Sequence, residues 1–210
     1  MKHLVIIGAG GMGRCIYNLA LSSIGYGVEF DIKGFLEKDI KSLDGFSSYP
    51  PILSDDDNYK ICKNDVFVCS LGDTKKRQEI YERFVCKGAE FFSLIHKSAS
   101  IGMNTIIGKG TIIDESAHID PDVTIGCNCL IQVQAVIGHD SMINDHVRID
   151  SQCSLVGGTI VKSGACIYTH AMINHNVTIG EDAVVGACSF VIKNVKPGVS
   201  VFGVPAKPIF

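Results

Sequence analysis

Two hydrophobic rhythms divide the chain. From Ile101 to Val191 every sixth residue is aliphatic, as at Ile101, Ile107, Ile113, Ile119, Ile125 and Ile131, and on through Ile179 and Val185. Four residues after each comes a small or β-branched residue, as at Thr105, Thr111, Ala117, Val123 and Cys129, continuing to Ser189 and Val195. A period of six fits neither the 3.6 of a helix nor the alternation of a simple strand. It predicts a coil in which each hexad makes one short strand and one corner, with the aliphatic side chain inward and the small one beneath the corner. Stacked coils pair strand on strand, so backbone groups are satisfied everywhere but at the ends. One coil buries too little alone, so the repeat folds as a unit.

Residues 1–94 read differently. An apolar run at 4–7 predicts a buried strand, followed by Gly8-Ala9-Gly10-Gly11-Met12-Gly13 and a helix over 14–23. Further strands are expected at 28–36, 66–70 and 91–94, and a second helix at 74–86. This alternation predicts a small parallel α/β domain, here taken as residues 1–94, ahead of an all-β coil domain at 95–210. Gly8, Gly10 and Gly13 match G-x-G-x-x-G, a turn that lets a phosphate approach backbone N–H groups at a helix N-terminus. The domain is about half a doubly wound fold, so a single nucleotide diphosphate suits it better than a dinucleotide.

Composition narrows the class. The chain has 210 residues, 46% of them hydrophobic and 20% charged, with a net charge of −3 and no basic run. A disordered chain and a nucleic-acid binder are both excluded by that balance. The apolar run near the N-terminus is too short for a signal peptide, and no segment reaches the roughly 18 apolar residues of a membrane span. A cytoplasmic protein is expected. The 9 cysteines are scattered without a C-x-x-C pair, so most are read as small buried hydrophobes rather than disulfides or zinc ligands.

The chemistry is sought among the histidines. A reaction that takes a proton from an attacking group needs a base, and one that develops negative charge on an oxygen needs a donor. Gly138-His139-Asp140 places a histidine beside a carboxylate that can fix its tautomer. By register, Gly157 lies three hexads on, directly above His139, and His175 three hexads further. A glycine there is expected to leave room for substrate and a free N–H. His118, His146 and His170 are read as surface residues, and His96 as structural. His170 and His175 are spaced like the zinc ligands of γ-class carbonic anhydrases, but the third position is occupied by Gln134.

Both halves, in this order, resemble the PglD/NeuD-type sugar acyltransferases, which are left-handed β-helix hexapeptide proteins with a Rossmann-like N-terminal domain. The residues that carry the resemblance are Gly8–Gly13, Gly34-Phe35-Leu36-Glu37-Lys38-Asp39, Leu71-Gly72-Asp73 with Arg77, Leu94–Ala99 and Gly203-Val204-Pro205-Ala206-Lys207. The resemblance implies a left-handed helix of three hexads per coil and a homotrimer with its sites in the clefts between neighbouring helices. It implies acetyl-CoA as co-substrate, no metal, and a sugar acceptor, foremost the amine of a UDP-linked 4-amino sugar. It makes His139 the base, Asp140 its orienting partner and Gly157 the oxyanion donor. It assigns nucleotide-sugar contacts to Gly8, Gly10, Gly11, Met12, Glu37, Lys38, Gly72 and Asp73, and acetyl-CoA contacts to Arg148, Gly157, Thr169 and Ala187. The chain departs from the pattern at Glu37-Lys38, where the family often has two aspartates, and at Met12 and Arg148, where it has histidines. Arg148 could bind a charged acceptor, so sialic-acid-type O-acetylation stays open, as does a catalytically silent trimer that only binds a nucleotide sugar.

Overall fold

The structure, a computed structural model, describes residues 1–209. Five parallel strands form the N-terminal sheet: β1 (Lys2–Ile7), β2 (Phe30–Leu36), β3 (Ile52–Ser54), β4 (Asp65–Cys69) and β5 (Glu90–Phe91), in the order β3-β2-β1-β4-β5. Helix α1 (Gly11–Leu21) follows β1 and α2 (Thr74–Cys86) follows β4. The central strand is apolar on both faces because both are covered: Leu4 and Ile6 pack with α1, while Val5 and Ile7 pack with Phe67, Phe84 and Phe91. Asp73 starts α2 by accepting a hydrogen bond from the Lys76 N–H at 3.0 Å. Gly10 starts α1 and offers no side-chain cap.

The period of six becomes a three-sided parallel β-solenoid. Its first face runs Leu94–Ile95, Ile112–Ile113, Leu130–Ile131, Arg148–Ile149, Cys166–Ile167 and Val184–Val185. The second runs from Ser100–Ile101 through Val136–Ile137 to Phe190–Val191, and the third from Ile106–Ile107 through Met142–Ile143 to Thr178–Ile179. Each strand is two residues long, and its second residue points inward. Ile119, Ile137, Ile149, Val161, Ile173 and Val185 are all fully buried in one core.

The corners explain the polar positions between the apolar ones. Asn104, Ser116, Asp122, Asn128, Gln134, Asp140, His146, Gln152, His170, Asn176, Asp182 and Cys188 all have φ between 53 and 62, and Gly110, Gly158 and Gly164 take the same place. Each corner needs one left-handed residue, the region that glycine, asparagine and aspartate tolerate best. Small residues under the corner close the turn. Thr111, fully buried, donates to the Gly126 carbonyl at 2.7 Å and accepts from the Cys129 N–H at 3.1 Å.

The α/β domain docks on the first face. Leu94, Ile112 and Leu130 share a core with α1 and the sheet. Arg77 of α2 is 1% exposed and donates through Nη2 to the His146 and Val147 carbonyls at 2.9 and 3.1 Å. Two expectations are corrected at this junction. His146 is buried, with Tyr81 edge-on to its ring at 5.4 Å and Asn128 Nδ2 at 2.9 Å from Nδ1. The strand expected at 91–94 is two, one closing the α/β sheet and Leu94–Ile95 opening the solenoid. Cysteine burial is also less general than composition suggests: Cys69, Cys129, Cys153 and Cys166 are buried, whereas Cys15, Cys62, Cys86 and Cys188 are exposed. No helix of the described residues is long and apolar enough to cross a membrane.

Candidate active site

Three corners separate the faces, and the candidate residues divide among them. His139, Asp140, Gly157 and His175 stand on the corner between the second and third faces. There the His139 Nδ1 lies 2.6 Å from Asp140 Oδ2. That bond, aided by the nearby carboxylates of Asp120 and Asp122, holds the imidazole above the usual histidine range. With Nδ1–H given to Asp140, Nε2 is the basic nitrogen, and it points at the glycine one coil on.

Gly157 has a sharper role than open space. A Cβ placed on it would lie 2.7 Å from His139 Nε2, so the imidazole rests directly on the glycine and covers it. The room expected above His139 is therefore filled by its own ring. Gly138 matters equally, because a Cβ there would come within 2.5 Å of the Gly157 nitrogen. Among the described residues the Gly157 N–H has no acceptor. The Gly157 N–H, unpaired like that of the equivalent residue at other corners and left uncovered by Gly138, thus lies beside one basic nitrogen, and a donor so placed can receive a developing oxyanion.

Cys129 and Cys153, in the column of small residues under the corners, offer no rival nucleophile. Burial pushes the Cys129 thiol up to about 12 and the Cys153 thiol to about 11, far from the thiolate form that reacts. No group of histidine, cysteine, aspartate and glutamate that could hold a metal occurs among the described residues.

A second region lies at the carboxyl ends of β1, β2 and β4. Gly8, Glu37 and Lys38 line a cavity of about 580 Å³ there, with Asp56, Leu71 and Arg83. Glu37 braces the glycine loop: Oε2 accepts from the Ala9 N–H at 3.0 Å and Oε1 from the Lys38 N–H at 2.9 Å. Gly10 and Gly11 stand outside the cavity lining, and a Cβ on either would meet nothing within 4 Å. Met12 is half-buried against the α1 core. Gly72 and Asp73 also lie off the lining, Gly72 packed against Arg148 and Asp73 committed to capping α2. At the start of α1 the N–H groups of Gly11, Met12 and Gly13 have no acceptor among the described residues, and the first turn carries no acidic side chain. The α2 residues Lys76, Glu79, Ile80 and Arg83 also line the cavity, and sequence reasoning missed them. Their helical spacing was the available signal.

Arg148 and the remaining acetyl-CoA candidates sit elsewhere. Arg148 donates from Nε and Nη2 to Asp150 at 2.6 and 2.9 Å, and from Nη1 to the Gly72 carbonyl at 2.9 Å. Its charge is already paired, and it ties the loop before α2 to the solenoid. Thr169 and Ala187 occupy the corner between the first and second faces. One chain therefore does not bring His139, the cavity and Thr169 together.

A solenoid of hexads with a glycine-loop α/β domain ahead of it is the fold that the chain shares with solved acetyltransferases. The known proteins it is similar to include PglD-type sugar acetyltransferases. Residues 3–84 match the family model of the PglD N-terminal domain. The acetyltransferase domain of PglB from Neisseria gonorrhoeae FA1090 superposes with a TM-score of 0.90, at 26% identity and 100% coverage of both chains. PerB from Caulobacter crescentus, solved in complex with CoA and GDP-perosamine, gives a TM-score of 0.86 at 25% identity, over 99% of this chain and 97% of that one. The UDP-N-acetylbacillosamine N-acetyltransferase of Bacillus subtilis (strain 168) is 30% identical over 115 residues, 54% of this chain. The match spans about half, 51%, of that curated relative.

Proposed function

We propose that this protein is an acetyl-CoA-dependent acetyltransferase acting on the amine of a nucleotide-linked amino sugar. The observation that carries the reading is the His139–Asp140 pair with Nε2 over Gly157. Nε2 takes a proton from the acceptor amine, which attacks the thioester carbonyl. The Gly157 N–H receives the oxyanion, and collapse expels the CoA thiolate. Similarity to PerB, solved with CoA and GDP-perosamine, and to the PglB domain, also solved with acetyl coenzyme A, supports both substrates. The N-terminal unit, residues 1–94, then serves as a Rossmann-like nucleotide-sugar domain, with the diphosphate on the free N–H groups of α1 and the nucleoside in the cavity at Glu37 and Lys38. The left-handed solenoid, residues 95–210, carries the transfer. No metal takes part in the scheme.

The division of the site among corners supports a homotrimer. His139 of one copy meets the acceptor held on another, and acetyl-CoA lies between them along Thr169 and Ala187. The outward residues of the two faces beside His139 include Ile106, Val136, Met142 and Met172, all exposed in the single chain; an apolar surface of that kind suits burial against a second solenoid. The case for a charged acceptor is weakened, because Asp150 already neutralises Arg148.

The test follows thiol release from acetyl-CoA with a panel of nucleotide-linked amino sugars. His139→Ala is expected to lower kcat/KM at least a hundredfold, the usual size of general-base help, with CoA affinity retained. Turnover within about threefold of wild type would refute the assignment.

A further inference from the structure

His175 takes no part in the transfer step above, yet it stands on the same corner as His139, two coils away. Adjacent coils lie roughly 4.8 Å apart, and between the two histidines the corner turns on Gly157 and Gly158, flanked by the exposed Val156 and the buried Thr159. The His139 ring rests on Gly157, whereas Gly158 is covered chiefly by the Asn176 side chain, with the His175 ring at van der Waals distance beside it. A Cβ on Gly157 would lie 2.7 Å from His139 Nε2, and one on Gly158 would lie 3.8 Å from His175 Cε1. Gly158 also holds φ +72, so the corner itself favours a residue without a side chain. The result is a slot that begins beyond the His139 ring and ends at His175, floored by the glycine backbone and the Asn176 amide and walled by two exposed imidazoles.

The slot has a direction. The Gly157 nitrogen faces Gly138, at the His139 end. A thioester whose carbonyl oxygen sits on that N–H, and whose carbon faces the amine at Nε2, has its sulfur toward the opposite wall. We propose that His175 receives the sulfur end of the acetyl donor, its ring N–H donating a hydrogen bond to the bound sulfur. This rests on the acetyltransferase reading. When the C–S bond breaks, the electron pair goes to sulfur. The thiolate departs hydrogen-bonded to His175 and takes a proton from solvent, while His139 releases to solvent the proton it took from the amine. His175 is thus a donor-positioning residue, distinct from the base.

Calorimetric titration with CoA and with desulfo-CoA, which lacks the sulfur, tests the assignment on the intact protein. His175→Ala is expected to weaken CoA about threefold to tenfold, the size of one hydrogen bond, and to change desulfo-CoA less than about twofold. His175→Gln, which keeps an N–H donor, is expected to recover part of the loss. Equal weakening of both ligands, or unchanged CoA affinity, would overturn the proposal. So would a rise only in the KM for the nucleotide sugar, which would put His175 on the acceptor. If the wild-type protein bound neither ligand, the acetyltransferase reading itself would fall, and this inference with it.

Discussion

Asp140 answers two demands at once. Its φ of 57 makes it the left-handed residue of its corner, a place that favours Asp and Asn on backbone grounds alone. Its carboxylate also accepts the His139 Nδ1–H and raises that imidazole's pKa. Asp140→Asn separates the two, since asparagine keeps the backbone preference and loses the charge. In the proposed scheme the neutral imidazole is the base, so wild-type activity is expected to fall as pH drops through the raised pKa of His139. Without the carboxylate that pKa drops toward its ordinary value of about 6.5, and the acid limb of the kcat/KM profile is expected to move to lower pH. The plateau should fall by about tenfold or more, because an amide can present N–H instead of oxygen to Nδ1. A pH–rate profile of the two proteins decides; an unmoved acid limb would show that Asp140 serves the corner alone.

At the scale of elements, legibility followed periodicity. The hexads from Ile101 fixed the solenoid strands because the inward positions repeat one burial requirement, and helix α2 was expected over the range it occupies, 74–86. Strand β3 was missed: Ile52–Ser54 is short, half-buried throughout and preceded by Pro50-Pro51, so it shows no alternation. His146 was read as a surface residue because its left-handed corner is a polar column everywhere else; only the docking of α2 buries it. That docking turns on Arg77, whose guanidinium has no carboxylate partner and whose Nε makes no hydrogen bond among the described residues. It binds two solenoid carbonyls instead. Arg77→Ala loses those bonds and leaves a void, and is expected to cost about 3 kcal/mol in urea unfolding. Arg77→Met fills the void without burying a charge, and should recover at least half of the loss. Equal losses in both variants would instead assign the whole effect to the hydrogen bonds.

Over the whole molecule, one chain holds the parts of a site without assembling them. The α/β domain covers the first face, anchored by Arg77 at the His146 corner and by Arg148 on Gly72. His139 occupies a different corner, so the histidine and the cavity at Glu37 and Lys38 of the same chain lie apart. If the acceptor held by one copy is served by the histidine of another, two inactive variants should complement each other. His139→Ala removes the base and keeps the glycine loop. Gly11→Asp keeps the base and places a negative charge at the start of α1, where it repels a diphosphate; a Cβ at Gly11 meets nothing within 4 Å, so the fold should tolerate it. Each variant alone is expected to be inactive. Co-expressed and purified as mixed oligomers, they should regain activity, since about a quarter of randomly formed interfaces in a cyclic assembly join an intact histidine to an intact loop. A site contained within one chain permits no such recovery, because every chain in the mixture carries one lesion. Recovery in the co-expressed protein, absent when the separately purified variants are mixed briefly, would establish that the histidine acts across the interface between copies.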